Sequence, residues 1–124
     1  MEKKENTLKL IPKTEIYVEY IINLIIKLPR TEKFSIGTEY KQSLYKILEE
    51  IMYVNKIDKR NNVFVINVLN KIDSYLMAQR IYLRIMVKNK WIDKKKFNVA
   101  MGMIYEIGKI LGGLIKYYAK NIKK

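Results

Sequence analysis

Apolar side chains recur every third or fourth residue along almost the whole chain, and little interrupts them. Only two prolines occur, Pro12 and Pro29, and both sit between periodic segments. That spacing puts one apolar stripe on each of four helices and leaves no stretch with the alternation of a strand. Residues 1–12 read as a flexible polar tail and 13–124 as one bundle domain. Thr14 is placed to cap the first helix, and Pro29 to stop it near Leu28. Its inner face is Tyr17, Tyr20, Ile21, Leu24, Ile25 and Leu28. A connector from Pro29 to Lys33 leads to Ser35 as the next N-cap, and the second helix then carries Ile36, Tyr40, Leu44, Ile47, Leu48, Ile51 and Val54. A polar turn from Lys56 to Asn62, with Asn62 as cap, precedes a third helix over Val63–Lys88. Asn89–Asp93 forms the next turn, with Asp93 as N-cap of a fourth helix. That helix buries Phe97, Met101, Ile104, Ile107, Leu111, Ile115 and Tyr118. The expected fold is all-α, an up-down-up-down antiparallel four-helix bundle.

The third helix has more apolar surface than one bundle needs. Besides tyrosine, its only polar side chains between Ser74 and Val87 are Ser74, Gln79, Arg80 and Arg84. Ile81, Tyr82, Ile85 and Met86 are read as covering the side opposite the Leu69, Leu76, Leu83 and Val87 stripe. A helix apolar nearly all round is buried on more than one side. Self-association supplies the second side most simply; lysine stems wrapped over a monomer are the alternative.

Charge is divided unevenly. The net charge is +13. From Ala78 onward there are 12 Lys and Arg against two acids, whereas Met1 to Met77 holds 13 against ten. A Lys-rich composition raises lysine everywhere, but it does not explain why only Asp93 and Glu106 follow Asp73. A basic half beside a near-neutral one is the pattern of a surface that meets a polyanion.

Other classes of function are disfavoured. Cysteine and histidine are both absent, which removes thiolate metal sites and the usual general base. No Gly-rich phosphate loop and no paired-carboxylate site is visible, so neither catalysis nor a cofactor is expected. The N-terminus lacks the apolar core of a signal peptide, and Ile16–Leu28 is too short and too polar to span a bilayer. A soluble, cytoplasmic protein is expected, with no membrane partner; an amphipathic membrane-surface protein is the weakest alternative.

Two basic strips stand out. Arg80, Arg84 and Lys88 follow one another at i, i+4 and i+8, so like charges stack along one edge of the third helix. An anion would answer them, as would an acid of the bundle, Asp73 or Glu106. On the fourth helix, Lys95, Asn98, Gly102, Tyr105, Glu106, Lys109, Gly112, Gly113, Lys116, Lys120 and Lys123 share one side. Glycines on such a face let a large partner approach the backbone closely, while lysines in the last turns also suit the helix dipole.

The sequence Glu106-Ile107-Gly108-Lys109-Ile110-Leu111-Gly112-Gly113-Leu114 resembles the E-[IV]-G-[RK]-x-L-G-[GS]-W signature of the Avd-like family, the accessory variability determinants of diversity-generating retroelements. Leu28-Pro29-Arg30-Thr31-Glu32-Lys33-Phe34-Ser35-Ile36-Gly37 is similar to that family's Pro-Arg block. Arg80-Ile81-Tyr82-Leu83-Arg84 is similar to its R-x-x-L-R, and Trp91-Ile92-Asp93 falls at its short turn. The blocks lie in register from Thr14 to Tyr118. Two departures concern packing: Leu114 stands for the usual Trp, and Gln79 for an apolar residue. The resemblance implies a four-helix protomer that assembles into a barrel-like homopentamer with a basic surface. It also implies binding to the element's reverse transcriptase and template RNA, and to its cDNA, in support of mutagenic cDNA synthesis and without catalysis. Arg80 and Arg84, Lys109 of the signature, and Arg30 of the Pro-Arg turn are the binding residues it suggests. With Lys88, Lys95, Lys116 and Lys120 from the strips, they form the candidate binding set. A sister group, the four-helix proteins of intervening sequences in bacterial 23S rRNA genes, shares the fold and gives the alternative reading of a scaffold.

Overall fold

Each apolar stripe becomes the inner face of a helix, and the four stripes meet in one core. The computed structural model describes residues 2–121, with side chains from Lys9 onward. The elements are α1 (Glu2–Ile26), the short α2 (Arg30–Lys33), α3 (Ile36–Lys56), α4 (Asn62–Lys88) and α5 (Lys94–Lys120). No strand occurs among the described residues. The four long helices pack as a ring: α1 against α3, α3 against α4, α4 against α5, and α5 back against α1. Short connections make consecutive long helices antiparallel. One end of the bundle therefore holds Leu28–Gly37 and the Asn89–Asp93 turn. The other holds the α3–α4 turn, where Asn62 Nδ2 donates to the Asn121 carbonyl at 2.9 Å.

Several boundaries differ from the sequence reading. Residues 2–12 are helical, not a tail; Leu10 is fully buried and extends the inner stripe one turn upstream of Thr14. Pro12 lies within α1, on its exposed side. There its ring removes one helical hydrogen bond without displacing any core group. Thr14 is consequently a mid-helix residue and no cap. Ser35 takes the N-cap position of α3 but makes no capping bond; its hydroxyl donates back to the Thr31 carbonyl at 3.2 Å and to Glu32 Oε1 at 3.1 Å. Asn61 rather than Asn62 caps α4, accepting from the Phe64 N–H. Asp93 caps α5 as expected, its Oδ1 accepting from the Lys96 N–H at 2.8 Å.

Backbone approach explains two further features. Gly37 is buried where α3 begins: a Cβ there would lie 3.0 Å from Ile25 Cγ2 and 3.3 Å from the Glu32 carbonyl oxygen. The Pro-Arg block is thus a packed corner, in which α2 turns the chain and Gly37 lets α3 close on α1. At the end of α4, the Lys90 N–H bonds to the Val87 carbonyl and the Trp91 N–H to the Met86 carbonyl. This is the paired arrangement that ends a helix through a left-handed residue. That residue is Lys90, with φ 63°. A glycine would sit there without strain, and a lysine costs about 1–2 kcal/mol more.

Among the described residues, the core is apolar apart from Thr14 and one chain of hydrogen bonds. Tyr17 donates to Gln79 Oε1 at 2.6 Å, leaving Tyr40 to donate to the Tyr17 hydroxyl at 2.9 Å. Gln79 Nε2 then donates to Ser43 Oγ at 3.0 Å. Tyr17, Tyr40 and Gln79 are fully buried. Burial pushes the Tyr17 phenol well above its ordinary value, although the Tyr40 hydrogen bond and the Arg80 charge both act to lower it. Tyr40 is also raised, first by burial and then by Tyr17. Gln79 is thus the polar hub of the core.

Thr14 is the exception to this pairing, since its buried Oγ1 has no hydrogen-bond partner among the described residues. An unsatisfied buried hydroxyl costs about 1–3 kcal/mol. Thr14→Val removes the hydroxyl and keeps the shape, so it should stabilise the bundle by about 1 kcal/mol in urea unfolding. A loss of stability would show that the hydroxyl finds a partner.

Candidate nucleic-acid interface

The register of α4 determines where its basic strip lies. With Gln79 pointing into the core, Arg80 follows at the seam with α5, half-buried. Its guanidinium lies against Gly108, where a Cβ would be 3.6 Å from Arg80 Nη2. Gly108 is therefore the surface on which Arg80 rests. Arg84 and Lys88 continue the strip into solvent, and both are exposed. Among the described residues, neither of the acids considered as partners forms an ion pair with the strip. Glu106 instead faces Lys13 of α1 at 3.7 Å.

The strip runs beside apolar surface. Met77, Ile81 and Ile85 are 55%, 52% and 40% exposed, one helical turn apart on the outer side of α4. The other two residues expected on that outer face are not there. Met86 is fully buried, and Tyr82 packs on Tyr40 with ring centroids 5.3 Å apart. The second apolar face of α4 is therefore real but narrower than the sequence suggested.

Among the described residues of the α5 stripe, all are exposed: Lys95, Asn98, Gly102, Tyr105, Glu106, Lys109, Gly112, Gly113, Lys116 and Lys120. Lys123 lies outside the described residues. Nothing approaches within 4 Å of where a Cβ would sit on Gly102 or Gly112, so the bare backbone there faces open space. Lys109 Nζ lies 5.8 Å from the centre of the Tyr105 ring, a cation–π distance that keeps both groups on the outer face. By length and composition α5 could cross a bilayer, but its apolar stripe is the one buried in the bundle, and lysines occupy its outer side.

These residues do not converge on one cavity. Arg30 is exposed at the end that holds the α4–α5 turn, as are Lys88 and Lys95, while Lys116 and Lys120 lie at the opposite end. The arrangement is an extended basic surface, suited to a long polyanion rather than to a small ligand. No group of three or more acidic residues that could hold a metal ion occurs among the described residues.

The sequence reading missed a second basic feature. A groove of about 620 Å³ opens where the last turn of α1 meets the α4–α5 turn; Lys27, Lys90, Trp91, Asp93, Lys94 and Lys96 line it. The signal was present in the run Lys88-Asn89-Lys90-Trp91-Ile92-Asp93-Lys94-Lys95-Lys96, of which Asn89–Asp93 reads only as a turn.

Fold and surface together define a class, a basic four-helix bundle whose charged side chains are arrayed outside a self-contained core. A family model for bAvd-like proteins matches residues 9–118, from within α1 almost to the end of α5, and the chain belongs to that family. Comparisons with curated proteins and with solved structures return no match.

The exposure of Arg84 and Lys88 makes their removal harmless to folding. Arg84→Glu combined with Lys88→Glu should unfold within about 0.5 kcal/mol of the parent, as read by thermal circular dichroism. A large loss would mean that the strip is structural.

Proposed function

We propose that this chain is a non-enzymatic accessory protein of a diversity-generating retroelement. It binds the element's reverse transcriptase and its template RNA, and supports mutagenic cDNA synthesis. The observation that carries the reading is the match to the bAvd-like family over residues 9–118 in a chain whose outer α5 face is lined by exposed lysines. Lys95, Lys109, Lys116 and Lys120 meet phosphate, and their affinity comes from released counterions, so binding is steep in salt and tolerant of sequence. Arg84 and Lys88, with Arg30, extend that surface toward the transcriptase. Arg80, braced on Gly108, contributes through its exposed part.

The protein acts as a homo-oligomer, a pentamer in the family's manner, in the cytoplasm and without a membrane partner. Met77, Ile81 and Ile85 are the apolar row on α4 that another subunit covers. Ile81→Asp with Ile85→Asp should lower the assembly to monomers in sedimentation while helix content is kept. Unchanged sedimentation would place the interface elsewhere.

Affinity for an unstructured RNA, measured against salt concentration, tests the nucleic-acid reading. The triple change Lys109→Glu, Lys116→Glu, Lys120→Glu should make the slope of log affinity against log salt shallower by about 2, at about 0.7 for each phosphate no longer neutralised. A parent protein with no salt-dependent RNA binding would instead leave a scaffold with a merely solvated basic face.

A further inference from the structure

The end of the bundle that holds the α4–α5 turn carries a feature that a phosphate-tracking surface does not need. Trp91 is the only tryptophan in the chain, and it is half-buried, with part of its indole open to the groove. Around it stand lysines from three places: Lys27 from just after α1, Lys90 from the turn, and Lys94 and Lys96 from the start of α5. Leu24 and Val87 supply apolar wall. Four ammonium groups face one carboxylate, and that carboxylate is already engaged. Asp93 Oδ1 accepts from the Lys96 N–H at 2.8 Å, and Oδ2 lies 3.8 Å from Lys96 Nζ. The groove of about 620 Å³ is of the size that takes a small ligand or one segment of a chain.

We propose that this groove binds an unpaired nucleotide of single-stranded RNA, with the base stacked on Trp91 and its flanking phosphates held by Lys27, Lys90 and Lys94. The inference rests on the nucleic-acid reading above and adds a site to it. An aromatic ring beside several lysines is the combination that grips single strands, because every base has a face to stack and every phosphate a charge to neutralise. A base inside a duplex keeps both faces covered by its neighbours, so the indole selects unpaired segments. Lys90 supports the assignment. It holds a left-handed backbone conformation, with φ 63°, at the position where glycine is usual. The lysine keeps its charge at the groove at the expense of turn stability, and strain retained in this way points to a function.

Because Trp91 is the sole indole, its fluorescence reports on this groove alone. The full-length protein is titrated with a short oligouridylate and, separately, with an RNA duplex of equal phosphate number. Anisotropy of a label on the RNA follows total binding. The oligouridylate should quench Trp91 emission with the same midpoint as the anisotropy, and the duplex should bind without quenching. Trp91→Ala should weaken oligouridylate binding about tenfold, the scale of one lost stacked base, and Trp91→Phe should restore most of it. Lys90→Gly separates binding from folding: its melting temperature should rise while its affinity for the oligouridylate falls severalfold. If the oligouridylate binds and Trp91 emission does not change, the groove is not the site, although the nucleic-acid reading stands. Equal quenching by the duplex also overturns the proposal. If neither RNA binds at low salt, the nucleic-acid reading fails and this inference with it.

Discussion

The hydrogen-bond chain from Tyr40 through Tyr17 and Gln79 to Ser43 is the constraint on which the rest of the structure depends. Apolar packing alone tolerates a helix that slides or rotates by part of a turn. Buried polar groups do not, because each donor or acceptor left unpaired costs about 1–3 kcal/mol. Here α1, α3 and α4 must present Tyr17, Tyr40, Ser43 and Gln79 at one level of the core. Once Gln79 points inward, the next residue, Arg80, is carried to the α5 seam, and Gly108 is the surface on which it rests. Arg84 and Lys88 then fall on the outside by helical geometry.

The same geometry separates the two roles of each helix. Inner faces are consumed by the core, so charge has nowhere to go but outward, and the ion pairs formed with it among the described residues are mostly solvent-exposed, each worth little. The lysines of α5 therefore do not hold the bundle together. They are held by it, at a spacing set by a rigid helix, and that makes them available to a partner. The outer face of α4 differs because it mixes charge with apolar residues. That combination suits a protein–protein contact, in which an apolar strip is buried and its charged border sets the orientation.

Much of this architecture was legible in the sequence, because the i, i+3, i+4 pattern reports directly which residues face inward. All of the residues assigned to the inner faces of α3 and α5 are buried or half-buried there, and Asp93 caps α5. The start of α1 was not legible. Pro12 reads as a boundary by its chemistry, yet it lies on the exposed side of a helix whose burial of Leu10 outweighs one missing hydrogen bond. The role of Gln79 was also hidden: a polar residue on an apolar face says that it needs partners, not that Tyr17 and Ser43 come from other helices to meet it. The strip of Arg80, Arg84 and Lys88 was legible as a row, but Arg80's rest on Gly108 depends on how α4 and α5 cross. The Trp91 groove was hidden for a similar reason, since Lys27 is far from Trp91 in sequence and reaches it only through the ring closure of the bundle.

The central claim is that this bundle joins a reverse transcriptase and its template RNA. It is tested most directly by expressing the full chain with the transcriptase encoded in the same element, with and without the template RNA, and purifying through the transcriptase. The account predicts a stable complex containing several copies of this chain, weakened when Arg84 and Lys88 are reversed in charge. A transcriptase that purifies without it, whether or not the RNA is present, would contradict the claim.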